Sequence, residues 1–256
     1  MNTKEAAVNA ALKAGKIIME YYQKPKTIEH KGIIDLVTEA DKLSEKKIIS
    51  EIKKEFPDHG FVGEEGEAIE SSSDYKWIID PIDGTTNFAH NIPFFCVSIA
   101  LQKKNELILG VVLNPVTNDL YVAEKGRWAT LNNKKINVSK TDKLIDSIIV
   151  FGFPYVGDEK IRKIIDDQHK LHGKIQAGRR FGAAALDLCY VASGLAEGFY
   201  EYSLKPWDVA AGSLIVKEAG GKVTDFRGDS KEIATDIVAS NGKIHGQLME
   251  LIGERE

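Results

Sequence analysis

The chain has 256 residues, 43% of them hydrophobic, which is enough to bury a substantial core as one large domain or two closely packed halves. Its net charge of −4 is spread over both signs, with no long basic run to mark a nucleic-acid or membrane footprint, so an anionic ligand must be attracted locally. Cys96 and Cys189 lack CxxC spacing, nothing at the N-terminus reads as a signal peptide, and no apolar stretch approaches the roughly 20 residues of a membrane helix, which together predict a reduced, cytoplasmic protein.

In chain order, Ala7, Ala11, Ala14, Ile18 and Tyr22 recur at helical spacing and predict an amphipathic helix from about Lys4 to Gln23, with Pro25 beyond its end. A second helix follows "DLVTEAD", capped by Thr38, with Glu39 and Asp41 at its positive first turn and Pro57 as its stop. Short strands come next in "GFVGEE" and "KWIID", then "FFCVSIAL", "ELILGVVLN" and "DLYVAEKG" as an antiparallel meander with polar turns. The remainder alternates. A strand over Ser147 to Phe151 is followed by helices from about Glu159 to His172 and across "GAAALDLCYVASG". The strand "GFYEY", the helix "WDVAAGSLIVKEAGG", the strands "KVTDF" and "DIVAS" and a short last helix complete it. Helices flanking sheets in both halves predict a layered α/β sandwich of one domain, 1–256, with halves at about 1–142 and 143–256.

The chemistry centres on "WIIDPIDGTTNF". Pro81 disfavours helix at Asp80 and lacks an N–H, so the strand is expected to turn at Asp80, with Gly84 completing the turn and Asp80 and Asp83 converging. Two carboxylates that close need a proton or a cation, although an isolated D-x-x-D-G reads more readily as a turn in which Asp83 caps "GTTN". Two further acidic motifs favour a cation. "GEEG" puts Glu64 and Glu65 after a strand, where one of the pair enters a site and the other is a bystander, and "KPWDVAAG" sets Asp208 behind a buried-type Trp207 at a helix start, where it also reads as an ordinary N-cap. Histidines are scattered, and only His169 and His172 share a helical spacing, in a polar, solvated segment. Oxygen ligands therefore point to magnesium or a similar hard ion. Such a cluster suits phosphoryl chemistry, with the backbone amides and hydroxyls of "GTTN" facing a phosphate. Serine-hydrolase, Walker and dinucleotide motifs do not occur.

"GEE", "WIIDPIDGTTNF" and "KPWDVAAGSLIVKEAGG", with "KGIIDLVTEAD" and "RRFGAAALDLCYVASG" in the right order, resemble the segments of the inositol monophosphatase family, of prokaryotic type, over essentially the whole chain. The resemblance implies an αβαβα sandwich with mixed and antiparallel sheets between helix layers. It also implies a magnesium-dependent, lithium-sensitive phosphomonoesterase acting on myo-inositol monophosphates and related sugar or polyol phosphates. Carried over by position, it makes Glu64, Asp80 and the Ile82 carbonyl one magnesium site, and Asp80, Asp83 and Asp208 a second. A third, weaker ion sits near Glu64, giving two to three ions, with Glu65 behind the ligands. Thr85 and Glu64 then position the attacking water, supported by Asp41. Gly84 and Thr85 hold the phosphate, and Asp83, Ala184, Glu201 and Asp208 contact the substrate, Glu201 being otherwise an exposed strand residue. Lys31 stands where family members often carry a lysine, and Ala183 replaces their usual Ser or Thr. Arg179 and Arg180 fit an anionic substrate or subunit contacts equally. Fructose 1,6-bisphosphatase activity is the alternative within the class, with a 3′-phosphoadenosine phosphatase behind it. A transcription-associated role with RNA polymerase is the alternative outside it. The family also implies a homodimer.

Overall fold

The computed structural model describes residues 1–24, 28–30, 36–66, 68–154 and 158–253. Helix α1 (Thr3–Tyr21) starts on a reciprocal cap: the Asn2 side chain accepts the Glu5 N–H at 2.9 Å, and Glu5 accepts the Asn2 N–H at 3.0 Å. Its buried face is almost all small, with Ala7, Ala10, Ala11 and Ala14, so the helix lies close on what is beneath it. Strands β1 (Ile28–His30) and β2 (Leu36–Thr38) form a short antiparallel pair leading into α2 (Glu39–Glu55), which packs beside α1.

A seven-stranded sheet follows in spatial order: β3 (Gly60–Gly63), β4 (Tyr75–Asp83), β5 (Cys96–Lys103), β6 (Glu106–Asn114), β7 (Asp119–Glu124), β8 (Thr130–Leu131) and β9 (Lys134–Lys135), with α3 (Thr85–Ala89) between β4 and β5. Only β3 to β4 is parallel; the rest is the expected antiparallel meander. Lys104 and Asn105 both take positive φ, the geometry that lets a two-residue turn join β5 to β6.

The second sheet holds β10 (Ile148–Phe151), β11 (Ala177–Arg179), β12 (Gly198–Glu201), β13 (Lys222–Thr224) and β14 (Ile237–Ser240) in the order β11-β10-β12-β14-β13, parallel at one end and antiparallel at the other. Helices α4 (Asp158–Leu171), α5 (Ala184–Ala192), α6 (Pro206–Glu218) and α7 (His245–Ile252) complete the chain.

Period-two alternation in the strands sorts the apolar residues into three cores. Trp77, Ile79, Val97, Ile99, Val111 and Leu113 face α1 and α2. Ile78, Cys96, Ala100 and Val112 face a central layer made of α5 and α6, whose other side meets Val150, Phe199, Ile237 and Ala239 of the second sheet. Ile149, Tyr200 and Val238 face α4 and α7. The layers therefore run α, β, α, β, α, as expected. Helices α5 and α6, covered on both faces, are apolar nearly all round. Each large side chain buried in these cores contributes about 1.5–3 kcal/mol relative to exposure.

One local expectation is corrected. The strand does not turn at Asp80 but continues to Asp83, through a bulge: Asp80 lies opposite Ser98 while Asp83 lies opposite Cys96, one residue more on β4 than on β5. Pro81 sits within this irregularity, where its missing N–H breaks no ladder bond, and the chain turns only at Gly84, whose φ is +91°.

Candidate active site

The bulge does chemical work. In a regular strand, residues three apart point to opposite faces; the extra residue brings Asp80 and Asp83 to the same side, toward the central helices, while Ile82 goes into the opposite core. They open onto a cavity of about 270 Å³ whose wall also carries Glu64, Gly84, Thr85, Ala184, Glu201 and Asp208. The structure thus brings together every expected ligand and substrate residue; Asp41 stands just behind, in contact with Thr85.

Strand β3 ends at Gly63, two residues before the end of "GFVGEE", so Glu64 and Glu65 belong to the loop beyond it. Glu64 lines the cavity, whereas Glu65 lines a groove on the far side against α2, and its N–H donates to Glu45 at 3.0 Å. Asp208 occupies the third residue of α6 and accepts the Lys205 N–H at 2.7 Å, so it is a helix-capping group and a cavity group at once. Trp207, expected to be buried, is half-buried and lines the cavity; its carbonyl accepts the Ser98 hydroxyl at 3.2 Å, which fixes the start of α6 against β5.

Burial and mutual repulsion raise the carboxyls. Asp80 is pushed well above its usual range, first by burial and then by Glu64, Asp83 and Asp208. Burial lifts Asp83 to about 7 despite the Ala185 N–H and the Cys96 thiol that favour its ionised form. Burial, with Asp83 next, lifts Asp208 to about 8, and its carboxyl is hydrogen-bonded to that of Asp80. Glu201 is raised by burial and by Asp208 and Asp83, with Arg180 opposing. Among the described residues no three acidic, His or Cys side chains enclose an ion by themselves; Asp83 turns its oxygens to α5, accepting the N–H groups of Ala184 at 3.2 Å and Ala185 at 2.7 Å. The fit to a hard cation rests instead on donor chemistry: clustered carboxyls that repel one another, a repulsion that a divalent ion would relieve.

The hydroxyl of Thr85 lies within bonding distance of Asp41 Oδ1 (3.2 Å) and the Ile82 carbonyl (3.0 Å). Asp41 also takes the Thr38 N–H (2.8 Å) and hydroxyl (2.5 Å), and burial sets its carboxyl at about 6. Arg180, also in the cavity wall, is exposed with its guanidinium over the Phe153 ring at 5.8 Å, while Arg179 belongs to β11. Ala183 is buried against Gly84 and outside the cavity wall, His169 and His172 are exposed, and Lys31 lies outside the described residues.

Sequence reasoning missed several residues that shape the site. Asn87 ties two loops together by donating to the carbonyls of Phe94 and Phe181, both at 2.7 Å. Gly152 lets Glu201 lie against its Cα, where a Cβ would come within 2.0 Å of Oε2. Asp187 is a buried α5 carboxyl, raised by burial and then by Asp83 and Glu201, with one oxygen lacking a protein partner. Glu45 was visible only as an acid four residues after Asp41, on the same buried face of α2.

The class of protein defined by this fold and site is set by comparison. The inositol monophosphatase family matches residues 2–255, and the chain belongs to that family, which makes it a member of a phosphatase family. It is 41% identical to an inositol-1-monophosphatase of Rhizobium meliloti, over 96% of this chain and 94% of that protein. It is 43% identical to the Nus factor SuhB of Escherichia coli, over 93% of this chain and 91% of that one. A solved inositol monophosphatase–fructose 1,6-bisphosphatase superposes with a TM-score of 0.85 at 29% identity, covering 98% of this chain and all of the other. No described helix is long and apolar enough to cross a membrane.

Proposed function

We propose that the protein is a phosphomonoesterase that hydrolyses myo-inositol monophosphates and related sugar or polyol phosphates with bound magnesium. The observation that carries this reading is the cavity wall, where Glu64, Asp80, Asp83 and Asp208 crowd together against their mutual repulsion. Glu64, Asp80 and the Ile82 carbonyl would hold one ion, Asp80, Asp83 and Asp208 would hold a second, and a third would bind more weakly near Glu64. Magnesium supplies charge that screens the phosphate oxygens, acidifies water and stabilises the leaving alkoxide.

The chain's own residues do the rest. Thr85, fixed between Asp41 and Ile82, accepts a hydrogen bond from the attacking water on a line that continues to Asp41, while Glu64 faces the same space. The backbone N–H groups of Gly84 and Thr85 hold the phosphate, and Asp83, Ala184, Glu201 and Asp208 hold the alcohol portion by its hydroxyls. Water adds to phosphorus as the alcohol leaves, giving inorganic phosphate and the free polyol with no phosphoenzyme. Lithium inhibits by taking one magnesium position, and the active particle is a homodimer of cytoplasmic residence; inhibition assays and light scattering check these.

Fructose 1,6-bisphosphate is the second candidate substrate, favoured by the name of the solved relative and by Arg180, a cation in the cavity wall. The experiment is phosphate release with magnesium from inositol 1-phosphate, fructose 1,6-bisphosphate and 3′-phosphoadenosine 5′-phosphate side by side. Asp83→Asn is the control and loses about 10²-fold or more in turnover. Release from none of them removes the enzymatic reading and turns attention to the one suggested by the Nus factor relative, tested by pull-down with RNA polymerase.

A further inference from the structure

The two glycines that bracket the acid pair in "GEEG" have a single structural counterpart. Glu45 is buried on α2, 4% exposed, and its carboxylate lies directly under the loop. A Cβ built on Gly63 meets, as its three nearest neighbours, only Glu45: Oε2 at 2.2 Å, Cδ at 2.7 Å and Oε1 at 3.2 Å. A Cβ on Gly66 meets Oε1 at 2.7 Å and Cδ at 3.9 Å. Between them, the Glu65 N–H donates to Oε2 at 3.0 Å. A carboxylate accepting a backbone N–H makes a charge-assisted bond, stronger than a neutral one, and it fixes the backbone of the loop.

We propose that Glu45 is the positioning residue for Glu64: its carboxylate grips the Gly63–Gly66 loop from behind and sets the place at which Glu64 enters the cavity. The two glycines are there because any side chain would displace that grip. Residues behind metal ligands orient them, and losing such a partner commonly weakens metal affinity about 10–100-fold. The same α2 face carries Asp41 one turn earlier, so one helix supports both Glu64 and Thr85 from outside the cavity. This inference rests on the reading of Glu64 as a magnesium ligand.

The test is the magnesium concentration that gives half of the magnesium-induced rise in Tm, measured for wild type, Glu45→Ala, Gly63→Ala and the double variant, with phosphate release alongside. Glu45→Ala and Gly63→Ala each raise that concentration about tenfold. The double variant is no worse than the poorer single one, because both changes break the same contact. Glu45→Gln, which keeps the shape and one acceptor oxygen, stays closer to wild type than Glu45→Ala does, and it decides the matter if Glu45→Ala does not fold. Losses that multiply in the double variant, or variants that melt lower with an unchanged magnesium midpoint, overturn the proposal and leave Glu45 a packing residue. A wild-type protein that melts identically with and without magnesium overturns the metal reading itself, a result distinguishable from failure of the grip.

Discussion

Gly152 leaves no room for a side chain, since Glu201 occupies the space that a Cβ would fill, with all three carboxylate atoms within 2.3 Å of it. Gly152→Ala therefore drives the carboxylate away from its present position in the cavity wall. The expected outcome is a loss of one charge-assisted contact to substrate, about 1.5–3 kcal/mol, seen as a raised KM for the polyol phosphate with the magnesium midpoint unchanged. An unaltered KM would remove Glu201 from the substrate site. His245 offers a pH-dependent case away from the cavity. It is buried with Nε2 3.1 Å from the Thr224 hydroxyl and Nδ1 2.8 Å from that of Ser240, and burial, with Lys222, lowers its pKa to about 4. The unfolded chain protonates this ring near its ordinary 6.5, so its contribution is intact above that pH and is lost as the pH falls toward 4. His245→Gln should flatten the fall of Tm between pH 6.5 and pH 4; an equally steep fall would assign the acid sensitivity elsewhere.

At the scale of elements, Asp208 is placed by how closely α6 lies on the seven-stranded sheet. Gly110 of β6 makes this approach possible: a Cβ there would come within 2.7 Å of the Ala211 carbonyl oxygen and 3.1 Å of its Cα, backbone atoms that cannot swing aside. Gly110→Ala should push α6 outward, cost about 1–3 kcal/mol of stability and weaken magnesium binding at the same time. Gly246→Ala in α7, where nothing lies within 4 Å, is the matched control and should leave Tm unchanged or raise it. If both variants melt alike, the close approach is not what holds α6. The same elements show what could be read beforehand. The apolar patterns of α1 and α2 and of β4 to β7 were legible because each runs over several turns or strand repeats, and α5 and α6 because each is a long, nearly unbroken apolar run. Asp80, Asp83 and Asp208 were legible because acids beside Pro81, Gly84 and Pro206 are chemically conspicuous. The bulge at Asp80 to Asp83 was not, because a slip of one residue is fixed by pairing with β5, far along the chain. Helix α3, five residues long, is too short to show a period, and β8, β9 and β11 have too few residues to alternate. Glu45 looked like one more surface acid of a charged helix, and only the fold shows it buried beneath the Gly63–Gly66 loop.

At the scale of the molecule, α5 and α6 are shared by both sheets, one apolar surface on each side. Neither half of the chain can lose them without exposing its own core. We expect calorimetry to give one unfolding transition, with equal calorimetric and van't Hoff enthalpies; two resolved transitions would mean that the halves at about 1–142 and 143–256 fold independently. The sharing also has a temporal side. Synthesis runs from the N-terminus, and folding of large chains proceeds as segments become available. Glu64, Asp80 and Asp83 emerge early, whereas Asp208 arrives with α6, after most of the protein has been made. On the reading proposed above, a nascent chain would carry three of the four carboxyls with no opposing wall, and catalytic competence would be withheld until the last layers close, leaving a prematurely terminated product inert.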